Sequence, residues 1–196
     1  MKKELQDKLY EKYPKLFGQK DLSMGYTSMC WGIETGNGWY NILDQLCMAI
    51  QYRVDWQRND RAREKWYNRA LKYALGGKVE FLENYYKHRG YEDETLKIVV
   101  ERDLEKKQFR EVTEYLPQVE FAQVKEKYGT LRVYHNSGDD YIHGLIVMAE
   151  LMSGRTCELC GVPGRSTKGS WIQTLCIRCA KQAGEELISR EEDVHE

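Results

Sequence analysis

Apolar residues recur at helical spacing over most of this chain and alternate at strand spacing in one stretch near residue 130. Residues 2–13 place Leu5, Leu9, Tyr10 and Tyr13 on one side, predicting a first helix that Pro14 ends or bends. Residues 26–33 read as a short strand. A polar turn, Glu34-Thr35-Gly36-Asn37-Gly38, follows it. From about Trp39 to Trp56, the residues Trp39, Ile42, Leu43, Leu46, Cys47, Ile50 and Val54 recur every three or four positions, as on an amphipathic helix. Residues 55–78 form a second helical stretch or continue the first, closed by Gly76 and Gly77. A third element ends at Gly90. The next helix opens on the acidic run Glu92-Asp93-Glu94 and carries Leu96, Val99, Val100 and Leu104. Pro117 interrupts the pattern. Two strands around Gly129 follow, with Leu131 and Val133 alternating against Arg132 and Tyr134. Asn136-Ser137-Gly138-Asp139-Asp140 supplies caps for a helix with Ile142, Leu145, Ile146, Ala149 and Met152 facing one way.

This succession predicts an α+β fold, with helices packed on a small antiparallel sheet. Residues 1–152 are expected to form the main domain, with 52–115 as a helical insertion. Residues 153–185 would form a C-terminal zinc ribbon, and 186–196 an acidic, frayed tail.

The ribbon rests on cysteine spacing. Cys157 and Cys160, then Cys176 and Cys179, make two C-x-x-C pairs separated by fifteen residues, within the range of zinc sites. Each pair turns two thiolates towards one point, and two pairs complete a tetrahedron around one Zn2+ per chain. Two disulfides would require an oxidising compartment, and a redox pair would not need a matching second pair. With all four positions taken by sulfur, the metal is expected to be structural. Cys47 lies on the apolar stripe of its helix as a small buried hydrophobe. Cys30 lacks a histidine nearby in sequence that could activate it.

Charge narrows the partners only a little. Thirty Lys and Arg oppose 31 Asp and Glu, so no global attraction to nucleic acid or anionic membrane follows. No apolar run approaches bilayer length, and the lysine-rich start is not followed by the apolar core of a secretory signal. A cytoplasmic protein without a membrane partner is expected.

Two local surfaces are candidates for binding. The turn before Trp39 could present free amides to an anion such as a phosphate, with Trp31 or Trp39 stacking on a base and Glu34 accepting from a sugar or base edge. The plainer reading makes Asn37 the N-cap of the helix, with its glycines adopting positive φ. Between residues 51 and 72, the bases Arg58, Arg61, Arg63, Lys65 and Arg69 interleave with Tyr52, Trp56, Trp66 and Tyr67, a pattern that could follow a nucleic-acid backbone or form a solvated helix face. The acid-rich stretch 91–120 would repel DNA nearby. Catalytic signals are weak. His88, His135, His143 and His195 are scattered, and Asp139 and Asp140 are as readily helix caps as an acid–base pair. None of the common hydrolase, metalloprotease or kinase motifs occurs.

The blocks MCWGIETGNGWYNILDQLC and QVKEKYGTLRVYHNSGDDYIHGLIVMAELMSGRTCELCG together resemble an uncharacterised family of small zinc-bearing proteins of tailed phages and prophages. The resemblance covers roughly residues 13–51 and 121–180. Asn37 stands where that family has an aspartate, and residues 52–115 are longer and more helical than its pattern. The family implies no reaction. It implies a bacterial host and a partner there, a host protein or a nucleotide signal, in a role such as countering antiviral defence. A DNA- or RNA-binding accessory protein and an unrecognised nucleotide hydrolase are the alternatives.

Overall fold

In the computed structural model, which describes residues 1–189, the chain forms two compact units: residues 1–54 with 117 onward, and residues 55–116. The architecture is α+β, with six helices and a small, mostly antiparallel sheet among the described residues.

The first unit starts with α1 (Lys3–Lys12), which buries Leu9. The strand expected at 26–33 is mostly absent. Met29–Trp31 is a 3-10 turn, and only Ile33–Glu34 (β1) is extended. Thr27 causes the difference. Its hydroxyl accepts from the Met29 amide at 3.1 Å and donates to the Ala122 carbonyl at 3.0 Å. That side chain competes with the ladder for backbone groups, and Gly32 at φ +80° then turns the chain. β1 pairs in parallel with β2 (Glu120–Lys127), placing Ile33 beside Val124. β2 pairs antiparallel with β3 (Thr130–Asn136) across the two-residue turn Tyr128-Gly129. Both turn residues have positive φ (53° and 76°), the twist such a hairpin needs.

α5 (Asp140–Ser153) covers the outer edge of β3. Ser153 Oγ accepts from Leu131 N at 2.8 Å, and Glu150 Oε1 accepts from Val133 N at 3.2 Å, so side chains satisfy amides that an edge strand would leave open. Ile142, Ile146 and Ala149 face inward from α5, whereas Met152, expected with them, is exposed. Phe17 meets Phe121 edge-on at 5.2 Å, and Leu16, Met29, Trp39, Leu43 and Ile50 of this unit are wholly buried.

The two helical stretches expected at 39–56 and 55–78 are one helix, α2 (Tyr40–Leu75), of 36 residues. It starts after a 3-10 turn at Asn37–Trp39. No glycine or proline interrupts it, so nothing in its backbone chemistry forces a break.

The second unit contains the later part of α2, with α3 (Glu80–Lys87) and α4 (Asp93–Lys106). Its apolar cluster includes Tyr67, Leu71, Leu82, Tyr85, Tyr86, Leu96 and Val100. Asp103 is buried there. It accepts from Tyr67 Oη at 2.8 Å, from Tyr86 Oη, and from Arg102 Nε at 2.9 Å. Burial pushes the Asp103 carboxyl up, but the hydrogen bonds from Tyr86, Tyr67 and Arg102 outweigh it and hold it below the usual carboxylate range. Asp103→Asn should therefore cost about 1–3 kcal/mol at neutral pH, the range for a buried hydrogen bond to a charged group. A folded-state pKa below the unfolded value of about 3.9 places this stabilisation above that pH. The gap between wild type and variant in urea unfolding should thus shrink as pH falls through the folded pKa. Equal stability of the two proteins at pH 7 would contradict this role.

Residues 107–116 form an irregular strap that α2 side chains hold by its backbone. Asn68 exchanges two hydrogen bonds with the Arg110 main chain, both at 2.8 Å. Glu64 accepts from the Thr113 amide at 2.7 Å, Arg61 donates to the Thr113 carbonyl at 2.5 Å, and Gln57 donates to the Glu114 carbonyl at 3.2 Å. Positions 57, 61, 64 and 68 lie on one helical face, so an irregular segment gains a ladder of partners.

Candidate metal centre

After α5, Gly154 and Arg155 lead into the first cysteine turn. The Gly161 amide donates to the Cys157 carbonyl at 2.8 Å, closing the turn, and Gly161 adopts φ +81°, which favours glycine. A short hairpin follows, β4 (Arg165–Ser166) with β5 (Thr174–Leu175). Cys176 then caps α6 (Ile177–Ala183), and its sulfur accepts from the Cys179 amide at 3.4 Å. The two halves are tied by Glu158 N donating to the Thr174 carbonyl at 2.9 Å.

The tail expected to fray from residue 186 is ordered at its start. Lys168 N donates to Glu186 O, Ile188 N donates to Ser166 O, and Leu187 pairs with Thr167. Unpaired groups on the outer edge of β4 provide the reason. Residues 190–196, including His195, lie outside the described residues.

The Cys157, Cys160, Cys176 and Cys179 sulfurs all lie within 4.8 Å of one another and can hold a metal ion. Cys160 Sγ lies 3.7 Å from both Cys176 Sγ and Cys179 Sγ. A tetrahedron with metal–sulfur bonds of about 2.3 Å has edges of about 3.8 Å, so these separations fit a metal tetrad. They are far too long for disulfides, and the cysteines are free thiols. The Cys179 amide pulls the Cys176 thiol down, while burial and the other sulfurs push the Cys179 thiol up. Four thiolates this close repel one another, and a central cation would relieve that repulsion. Three of the four are buried, with Cys160 exposed, and no fifth protein donor is needed.

The glycine-rich turn packs directly on this centre. Gly38 N donates to Glu158 O at 2.6 Å, Gly36 N donates to Glu158 Oε1 at 2.8 Å, and Trp39 Nε1 donates to Thr156 O at 2.8 Å. The glycines are there for close approach. Gly36 has φ −68°, and Gly38 is not in the left-handed region either. A Cβ on Gly36 would lie 2.3 Å from Glu158 O, and one on Gly38 would lie 2.1 Å from Cys157 O. The expected N-cap role of Asn37 is also corrected. Its Oδ1 accepts from Lys2 N at 2.8 Å, and no side chain caps the 3-10 turn. The Gly36 and Gly38 amides, two of those expected to receive an anion, are thus already engaged. Trp39 is wholly buried and offers no stacking face. Trp31 is 57% exposed on its own turn, and Glu34 accepts from Gln123 Nε2 at 3.3 Å on β1. Glu158, unmarked by any sequence signal, joins these elements. Burial pushes its carboxyl up, partly offset by the Gly36 amide.

The basic face of α2 is largely engaged in the second unit. Arg61 and Arg58 donate to carbonyls of the strap, Arg63 pairs with Asp60, and Arg69 lies 5.9 Å from the centre of the Tyr73 ring. Lys65 is exposed. Cys47 is fully buried, which pushes its thiol far up, and Cys30 donates to Thr27 O at 3.3 Å. Asp139 accepts from Ile142 N at 3.0 Å as the cap of α5 and from Arg53 at 2.8 Å, so the suspected acid–base residue is a cap in an ion pair.

No family model, curated protein or solved structure matches this chain. Among the described residues, no helix is long and apolar enough to cross a membrane.

Proposed function

We propose that the four cysteines hold one structural zinc ion, and that the protein binds a bacterial host protein without catalysing a reaction. The setting is a phage or prophage, the place the host cytoplasm, and the role interference with host defence. The sulfur tetrad carries the metal half of this reading, because it is closed by cysteine and fastened to the glycine turn. Zinc is favoured over other ions by an all-thiolate tetrahedral donor set. The phage setting rests on the resemblance of the two sequence blocks.

A protein partner is favoured over a nucleotide because the Gly36 and Gly38 amides of the turn are committed to Glu158, whereas Met24, Tyr26 and Trp31 are 72%, 85% and 57% exposed. Exposed aromatic and methionine side chains are the usual anchors of protein interfaces. Nucleic-acid binding is the second reading, supported by the basic composition of α2 and weakened by the internal partners of Arg58, Arg61 and Arg63. The paired test measures binding of nucleoside phosphates and of DNA at low salt, beside affinity capture from bacterial lysate with wild type and with Tyr26→Ser/Trp31→Ser. The expected result is no binding to nucleotides or DNA, and a captured protein that the double variant loses while keeping the wild-type melting temperature. Tight, salt-dependent DNA binding would replace this reading with the second.

A further inference from the structure

α5 is inward-facing on one side only. Its outer side exposes Tyr141, Met148, Leu151 and Met152, with Leu145 partly buried beside them and Gly144 exposed among them. A Cβ on Gly144 would meet nothing within 4 Å, so this part of the helix surface is a shallow open notch. Met148 and Leu151 are 58% and 65% exposed, high values for large apolar side chains on a well-formed helix. An apolar stripe on an ordered helix marks an interaction surface when it is contiguous.

The spacing of this stripe is self-complementary. Measured from Met148, Leu145 and Leu151 lie three residues to either side, Gly144 and Met152 four, and Tyr141 and Arg155 seven. Two antiparallel copies of such a helix, related by a two-fold axis at Met148, bring these pairs to common levels. Leu145 meets the level of the other copy's Leu151, and Met152 meets the notch at the other copy's Gly144. Tyr141, whose ring already has the Arg53 guanidinium 5.3 Å from its centre, comes to the level of Arg155 just past the end of the other helix. The charges agree as well. Asp140 at the start of α5 and Arg155 just beyond its end are both exposed, and antiparallel pairing sets each near its opposite in the other copy. Parallel pairing would align Asp140 with Asp140 and Arg155 with Arg155.

We propose that this face of α5 binds a second copy of the chain, antiparallel, with Met148 on the two-fold axis. The contact is isologous, so it closes at a dimer. One helix pair is a small interface, at the low end for specific association, so the dimer forms and dissociates in the micromolar range. The proposal does not depend on the host-protein reading, whose exposed side chains lie on a different segment.

Sedimentation of the full zinc-loaded chain from about 1 to 300 µM, spanning the range expected for so small an interface, tests it. Wild type should shift from monomer to dimer across that range. Met148→Lys should remain monomeric with an unchanged melting temperature, because the side chain it replaces is exposed. A residue on a two-fold axis lies beside its own copy, so Met148→Cys (Met148 is 58% exposed) should form a disulfide-linked dimer under oxidised glutathione at least tenfold faster than Met24→Cys, although Met24 is the more accessible at 72%. Three results would each overturn the proposal: a wild type that stays monomeric, which would leave the face to some other partner; a dimer that survives Met148→Lys; or cross-linking of Met148→Cys no faster than that of Met24→Cys.

Discussion

Cys176→Ser should abolish the proposed zinc binding and lower the thermal midpoint by more than about 10 °C, whereas Cys30→Ser should leave both unchanged. Cys176 is at once a metal donor, the cap of α6 and the neighbour of Cys160 at 3.7 Å. A serine hydroxyl can still cap the helix but supplies no thiolate, so the variant isolates the metal function from the capping one. Zinc binding in small cysteine modules is itself folding free energy, on the order of 10 kcal/mol in isolated fingers. Losing half of that from a domain of this size corresponds to a shift of about 10–20 °C. Zinc content by elemental analysis, read beside a thermal melt, checks the prediction. Full zinc occupancy in the variant, or a midpoint within about 2 °C of wild type, would remove the structural role of the tetrad.

The second large effect comes from Gly38→Ala, and here the expected sign is the opposite of the usual one. Replacing an exposed glycine at a helix start with alanine ordinarily stabilises by about 0.4–1 kcal/mol, because the unfolded chain loses freedom. Gly38 is different. The new methyl would lie 2.1 Å from Cys157 O, 2.4 Å from Gly161 N and 2.7 Å from Glu158 O, all main-chain atoms that no side-chain rotation can move. Either the turn or the cysteine knuckle must shift, which breaks the 2.6 Å bond from Gly38 N to Glu158 O and strains the Trp39 indole bond to Thr156. Overpacking of this kind costs about 1–3 kcal/mol, and the lost buried hydrogen bonds add about 1 kcal/mol each. Gly38→Ala should therefore destabilise by about 3 kcal/mol and release zinc to a chelator faster than wild type. Asn37→Ala, which loses the contact to the Lys2 amide, should cost only about 1 kcal/mol. Urea unfolding of both variants provides the comparison. A stabilised Gly38→Ala would mean that the turn is only a helix entry.

The cysteine tetrad was legible in the sequence because its geometry is local. Each C-x-x-C turn positions its own two sulfurs, and the interval between pairs lies in a known range. The helices before the cysteines and the β2–β3 hairpin were legible for a similar reason, since apolar periodicity and a two-residue turn at Gly129 need no distant partner, whereas the short α6 carried no such signal. What was hidden depends on contacts far apart in the chain. Gly36 and Gly38 look like flexible turn residues until Glu158, more than a hundred positions away, is placed against them. The polar residues Gln57, Arg61, Glu64 and Asn68 look solvated or basic because the strap that they hold has no periodicity of its own. Residues 26–33 carry strand-like composition, yet one threonine hydroxyl redirects their backbone. In each case a partner distant in the chain, not the local propensity, decided what the segment became.

The central claim is that the metal centre and the glycine turn form one structural element. Amide hydrogen exchange, followed before and after zinc is removed by a chelator, tests it most directly. If the turn is fastened to the knuckle, the Gly36 and Gly38 amides, both donors to Glu158, should lose protection together with Cys157 and Gly161 when the metal leaves. If the loss of protection stays within residues 155–184 and Gly36 and Gly38 remain as slow as before, the centre is an independent module and the claim is wrong.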